Sequence, residues 1–494
     1  MLFNSVKFLI FFPVVVLIYY CIPKKIRHFW LLAASYYFYM NWNPVYGSLL
    51  FCCTLVTYIG GRVIEGFDQS SNKAEGKRKL CLLCCLMINL GLLAFFKYVS
   101  FIVNLVNRIL SLLPWHYSIK WTYSVILPVG ISFYVLQSLG YLIDVYRREI
   151  YAEKNFFRYA LFVSFFPQLV AGPIERAKNL LVQLARPARL SFINFKKGLF
   201  IMLWGFFVKL VIADRIAIFV DEVYGNSFMY PGFYIVVATI LFAIQIYCDF
   251  YGYSAIARGA ALFFGITLVD NFNAPYFSGS VEEFWRRWHI SLSGWFKDYL
   301  YIPLGGNRKG MFRKQLNKLI VFSVSGLWHG ASFSFIIWGF LNGLYQVMSD
   351  GWKQMKCKLH IQENRDSTFS DRFLRRIGMF FLISFAWIFF RAGGMEETLT
   401  VLRNICCFNW EVLVNGSLFA LGISEELFMV MVCAIGVLIY VDYKKYQGGE
   451  VAMMLAEQKW WFQIAVSIAL LFAILLFGCY GVEYDSNQFI YFQF

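Results

Sequence analysis

Two histidines in aromatic surroundings are the residues best placed to do chemistry: His289, in Glu283-Phe-Trp-Arg-Arg-Trp-His-Ile-Ser-Leu-Ser293, and His329, in Ser325-Gly-Leu-Trp-His-Gly-Ala331. A neutral imidazole can take the proton from a hydroxyl that water alone does not readily remove near neutral pH, and an imidazole withdrawn from water favours that neutral form. A base positioned in this way is worth ~10²–10⁴ in rate. The setting of His329 strengthens its candidacy. Residues 319–349 contain no Lys, Arg, Asp or Glu, so the run reads as a membrane segment, and His329 lies eleven residues beyond Lys318. At ~1.5 Å per helical residue that is ~16 Å deep, near the middle of a ~30 Å hydrocarbon layer. A polar ring at that depth is costly unless it is paired or faces a wet cavity, so an intramembrane histidine is a functional candidate by default.

The run 319–348 would be ~45 Å long as one straight helix, more than a bilayer requires, so a strong tilt or a break at Gly326 or Gly330 is expected beside the histidine. His289 belongs on a separate helix. Ser280-x-x-Glu283 has capping-box spacing, and Glu282/Arg286 and Glu283/Arg287 are i,i+4 pairs in the favoured direction. Trp285, His289, Leu292 and Phe296 then share one face of that helix, so His289 points with aromatics.

The two motifs, with Asp298-Tyr-Leu-Tyr-Ile-Pro-Leu-Gly-Gly-Asn307 between them, resemble the membrane-bound O-acyltransferase (MBOAT) family. The similarity is to the branch containing the alginate O-acetyltransferase membrane subunit and the teichoic-acid D-alanyl transfer protein. Ala171-Gly-Pro-Ile174, Phe389-Phe-Arg391 and the terminal Phe489-Ile-Tyr-Phe-Gln-Phe494 extend it to nearly the whole chain. The resemblance implies one polytopic, all-α membrane domain over residues 1–494, with the motif core at about 160–348. It implies an acyl thioester approaching from the cytoplasm, with acetyl-CoA as the donor, no permanently bound cofactor and no metal. The acceptor is an exported polysaccharide, reached directly or through an extracytoplasmic acetyltransferase partner protein. His329 is then the general base. His289 stands where other branches carry Asn or Asp, which suits orienting or polarising the substrate better than shuttling protons. The bland reading, two satisfied core histidines pinning helices together, is the better one for a lone histidine; two in motifs of this specificity favour function. The family often has a second acidic residue after Gly252-Tyr-Ser254, where this chain has Ala255, and Asp249 is left as a supporting candidate only.

Composition agrees with a protein that lives in lipid. Of 494 residues 60% are hydrophobic, 20% aromatic and only 15% charged, unlike any soluble domain of this size. Apolar runs predict roughly 11–13 membrane segments, counting shorter ones such as 29–40, 101–115, 159–170 and 379–390 as spans or re-entrant pieces. The net charge of +16 sits in loops, which in a multi-pass protein of the cytoplasmic (inner) membrane means cytoplasmic loops facing lipid headgroups, not nucleic acid. The polar insert 351–376 is expected on the cytoplasmic face with His360 solvated, and His28 and His116 at interfaces. Cys81-Leu-Leu-Cys84 lies in an apolar stretch without a second thiol pair, so cysteine reads as a small buried apolar residue rather than a zinc ligand. The amino-terminal apolar run reads as an uncleaved first span.

Other polar features carry two readings each. Glu175 and Arg176 follow a Pro-broken apolar run that could line a substrate path or simply leave the membrane. Lys209, Asp214 and Arg215 read as a structural ion pair or a snorkelling end. The turn Pro303-Leu-Gly-Gly-Asn-Arg-Lys-Gly310 offers Arg308 and Lys309 to the phosphates of a nucleotide-like acyl carrier, yet cytoplasmic charge bias alone would produce the same loop. Two competing functions stand beside acetyl transfer. One is D-alanyl transfer to teichoic acid from a carrier-protein thioester. The other is a proton-coupled transporter, against which stand the lack of an internal repeat and of a run of intramembrane carboxylates.

Overall fold

The computed structural model describes residues 1–67, 72–112, 118–121, 127–186, 188–360, 368–480 and 490; His116 and the rest of the terminal aromatic motif lie outside the described residues. Among the described residues every regular element is helical and no strand occurs. Six helices are long and apolar enough to cross a bilayer: Pro44–Gly66, Ala74–Leu110, Phe233–Phe263, Phe369–Arg391, Glu425–Tyr446 and Trp460–Phe477, with Val6–Cys21 as a shorter apolar helix. The Trp460–Phe477 helix explains why these need lipid. Only Gln463 and Ile474 of its residues are buried by the protein, while Leu471, Phe472, Leu475 and Leu476 are exposed, a surface that water would not tolerate. The chain is a multi-pass membrane protein. The other apolar runs fold into shorter helices such as Arg27–Met40 and Phe156–Ser164.

The chain forms two compact units, Met1–Phe195 with Ala260–Val269, and Lys196–Gly259 with Asp270–Phe494. In the first unit, helix starts are set by polar caps: Ser5 accepts from the Phe8 N–H and Asn43 from the Val45 N–H, leaving Pro44 at the first helical position where its missing N–H costs nothing. Its core is aromatic, with Phe3, Phe8 and Phe38 all below 1% exposure, and Tyr159 donates to Thr57 at 2.7 Å to satisfy a buried hydroxyl. Glu175 is buried and accepts from Val269 N and Asn179 Nδ2, which ties the Pro-broken loop to the body of this unit.

The second unit holds both histidine motifs. The uncharged run around His329 is not one span. It forms two helices, Gly310–His329 and Phe333–Lys358, folded back on each other as a hairpin, and neither is among the helices long and apolar enough to cross. The turn falls at Gly330, one of the two glycines at which a break is expected, where the backbone is extended (φ −155°, ψ 149°), and Ser332 caps the next helix. The glycines explain the hairpin. A Cβ on Gly326 would stand 2.1 Å from the Phe335 carbonyl oxygen, and one on Gly339 2.2 Å from that of Phe322. Backbone therefore packs on backbone, and the absence of charge reflects two protein-covered faces rather than one long passage through lipid. His329 is buried at the hairpin tip by protein.

Lys209 and Asp214 form an ion pair at 2.7 Å, at either end of the π-helical segment Val208–Ala213, and Lys209 also pairs with Asp249. Arg215 donates to the Phe477 carbonyl at 2.5 Å. This matches the structural reading of the pair, since Lys209 and Asp214 each have an opposite charge beside them, while Arg215 is held by a backbone carbonyl.

Candidate active site

The expected single helix through His289 is broken at His289 itself. Val281–Arg287 ends before it and Ile290–Phe296 begins after it, with His289 in the left-handed region (φ 43°, ψ 54°). Capping fails to carry the helix through, although the start is as expected: Ser280 accepts from Glu283 N, and Glu283 pairs with Arg287 at 3.0 Å. The second predicted pair does not form as such, because Glu282 turns to Lys353, whose hydrogen bond holds this carboxyl below its usual range. A left-handed non-glycine residue costs roughly 1–2 kcal/mol, so the elbow must be held from outside. Asn271 holds it. Its carbonyl accepts from Ile290 N (3.0 Å) and its side-chain oxygen from Ser291 N (3.2 Å), satisfying the first N–H groups of the second helix.

The elbow turns His289 away from the face it would have shared with Trp285, Leu292 and Phe296. It packs edge-on to Phe250 at 4.7 Å, and its ring centroid lies 6.4 Å from that of His329. His329 is boxed by Trp328 (4.8 Å), Trp338 (5.1 Å, 89°) and Phe390 (5.5 Å). Exposure is 1% for His289 and 5% for His329, so both rings are withdrawn from water. Two imidazoles forty residues apart in sequence thus lie near each other among aromatic rings. Asp249, engaged with Lys209 and with Ile490 N (2.8 Å), stands one residue from Phe250 on the helix that carries the ring against His289.

Trp285, Leu292 and Phe296 meanwhile line a cavity of ≈350 Å³ together with Phe322 and Ser325. Ser325 precedes His329 by one helical turn, so the two lie on the same side of the helix about 6 Å apart along it. At its other end the cavity carries Arg286, Lys297, Lys314 and Lys318 against Glu282 and Asp350. Asp350 draws in Lys314 (2.8 Å) and Lys318 (2.9 Å). Four cations face two carboxylates, an arrangement suited to an anionic head followed by a neutral chain. Arg308 and Lys309 sit exposed on the turn leading into the hairpin, and Asn307 of that turn lines the cavity. Two residues were missed from sequence. Asn342 accepts from Trp285 Nε1 at 3.2 Å and fixes the cavity wall, and Asn271 builds the elbow. Two amides one turn apart in an uncharged run, Asn342 and Gln346, the first a turn beyond Trp338, are the signal by which Asn342 could have been found.

This multi-pass helical protein thus holds two buried histidines and, one helical turn from His329, a cavity lined by both basic and apolar residues. The pattern of MBOAT, the membrane-bound O-acyltransferase family, matches residues 144–390, half of the chain, and the chain belongs to that family and is an O-acyltransferase. It is 34% identical over 441 residues to the peptidoglycan O-acetyltransferase of Helicobacter pylori, covering 83% of this chain and 80% of that one. To the probable alginate O-acetylase AlgI of Pseudomonas putida it is 36% identical over 423 residues, 83% and 82% of the two chains. A teichoic acid D-alanyltransferase of Streptococcus thermophilus is 27% identical over 278 residues, 52% of this chain and 64% of that one. His289, His329 and the cavity residues all fall inside the matched segment.

Proposed function

We propose that this protein, in the cytoplasmic membrane, moves an acetyl group from a cytoplasmic thioester, acetyl-CoA, toward hydroxyls of an exported polysaccharide. His329 removes the proton as the acceptor oxygen attacks the thioester carbonyl; His289 orients or polarises that carbonyl. When the tetrahedral intermediate collapses, the carbon–sulfur bond breaks and the thiolate takes the proton from the imidazolium, leaving an ester and a free thiol. The acceptor is the polysaccharide itself or an extracytoplasmic acetyltransferase partner that passes the group on. One observation carries this reading: two buried imidazoles 6.4 Å apart, one of them a helical turn from a cavity with a basic end and an apolar end. The names of the nearer relatives support acetyl over D-alanyl.

The test is transfer of label from acetyl-CoA by the purified protein in vesicles. Label on an acceptor, or released as acetate, with wild type and not with His329→Ala is the expected result. Transfer only from a charged carrier protein would move the reading to D-alanyl transfer. Proton flux without cleavage of either thioester would remove the acyl-transfer reading.

A further inference from the structure

A second cavity, of ≈290 Å³, lies within the first unit and has no part in the chemistry above. Five cations line it: Lys24, Lys25, Arg27, Arg158 and Arg186, joined by His28. No carboxylate is among its lining residues, and the one nearby, Glu153, is engaged with Arg158 at 3.2 Å. Among the described residues Lys24, Lys25, Arg27 and Arg186 form no ion pair. Ordinary snorkelling explains the exposed lysines but not Arg27, which is only 7% exposed. Its guanidinium is fixed by the carbonyls of Tyr20, Ile22 and Ala188 and lies over the ring of Tyr19 at 4.8 Å. Three of its five N–H groups are used in this way and another is shared with the Tyr19 hydroxyl, which leaves one. His28 Nε2 is likewise buried and has no hydrogen-bond partner among the described residues. The lining also includes apolar residues, Leu31, Leu184 and Phe264.

A buried, fixed positive charge without a counter-charge, at the end of the apolar helix Val6–Cys21 and in a cavity with apolar lining residues, fits an amphiphile with an anionic head. We propose that this cavity binds the phosphodiester headgroup of an anionic phospholipid. The phosphate oxygens accept from Lys24, Lys25, Arg186 and the remaining N–H of Arg27, and the first carbons of the lipid chains lie against Leu31, Leu184 and Phe264.

The full-length protein, purified in detergent, is titrated with dioctanoyl phosphatidylglycerol, with dioctanoyl phosphatidylcholine and with inorganic phosphate, and the thermal unfolding midpoint is followed. Phosphatidylglycerol is expected to raise the midpoint at concentrations where the zwitterionic lipid of equal chain length does not. Lys24→Gln/Lys25→Gln/Arg186→Gln should weaken its apparent affinity by roughly fivefold for each charge removed. A control with the same charge loss elsewhere, Lys356→Gln/Lys358→Gln/Arg375→Gln, should keep the wild-type response. Should the triple variant fail to fold, Arg186→Gln alone is read for its single fivefold loss. Equal protection by inorganic phosphate overturns the lipid assignment in favour of a soluble anion. Equal protection by both lipids, or equal loss in the control, overturns the site.

Discussion

At the scale of single residues, the two histidines differ in what replaces them. The base proposed for His329 is a nitrogen that accepts a proton, so His329→Gln, close in size and still polar, should be as inactive as His329→Ala, each down by ~10²–10⁴ in acetyl transfer. Comparing their unfolding midpoints separates this from loss of packing against Trp338 and Phe390: a glutamine variant that folds like wild type and keeps its rate would end the base assignment. His289 holds a left-handed backbone, and its proposed role adds a hydrogen bond to the substrate carbonyl. Asparagine is among the few residues that tolerate that conformation, and it can still hydrogen-bond a carbonyl. His289→Asn should therefore retain clearly more kcat than His289→Ala, with a smaller loss of stability. Equal inactivation in two folded variants would show that the ring must carry a proton, and the roles given to the two histidines would need revision.

At the scale of elements, the histidines are where they are because backbone can approach backbone. Gly326→Ala or Gly339→Ala inserts a methyl group 2.1–2.2 Å from a carbonyl oxygen of the opposite limb, and overpacking of this kind costs about 1–3 kcal/mol. Both should lower the unfolding midpoint and, by splaying the hairpin, reduce transfer. Gly76→Ala, with nothing within 4 Å, should leave both unchanged or raise stability slightly. The same elements show how far a sequence can be read. The break at Gly330 was legible because an uncharged run too long for one span has to bend, and glycine marks where. That the run folds into a hairpin was not, because two protein-covered helix faces and one lipid-covered helix are equally poor in charge. The elbow at His289 was hidden for a different reason: nothing local marks a histidine for left-handed backbone, and the residue that enforces it, Asn271, is distant in sequence and acts through tertiary hydrogen bonds. Ser280 and Glu283 were legible because capping is local.

At the scale of the whole molecule, the direction of transfer depends on which side of the membrane each group meets. The helix Phe333–Lys358 links the two questions of sidedness. Its first residues adjoin His329, Asp350 anchors Lys314 and Lys318 at the charged end of the cavity, and its last turn enters the polar insert with Lys358 exposed. The insert and the charged end of the cavity therefore open toward the same face. Excess Lys and Arg in short loops marks the cytoplasmic side, and Lys353, Lys356, Lys358, Arg372, Arg375 and Arg376 supply that excess here. Trypsin should cut between residues 353 and 376 in inverted membrane vesicles and leave the same segment intact in right-side-out preparations, as read by the masses of the released peptides. Cleavage from the outer side would turn the basic end of the cavity away from the cytoplasm. A cytoplasmic thioester could then not reach His329 through it, and the donor route would fail even if both histidines proved essential.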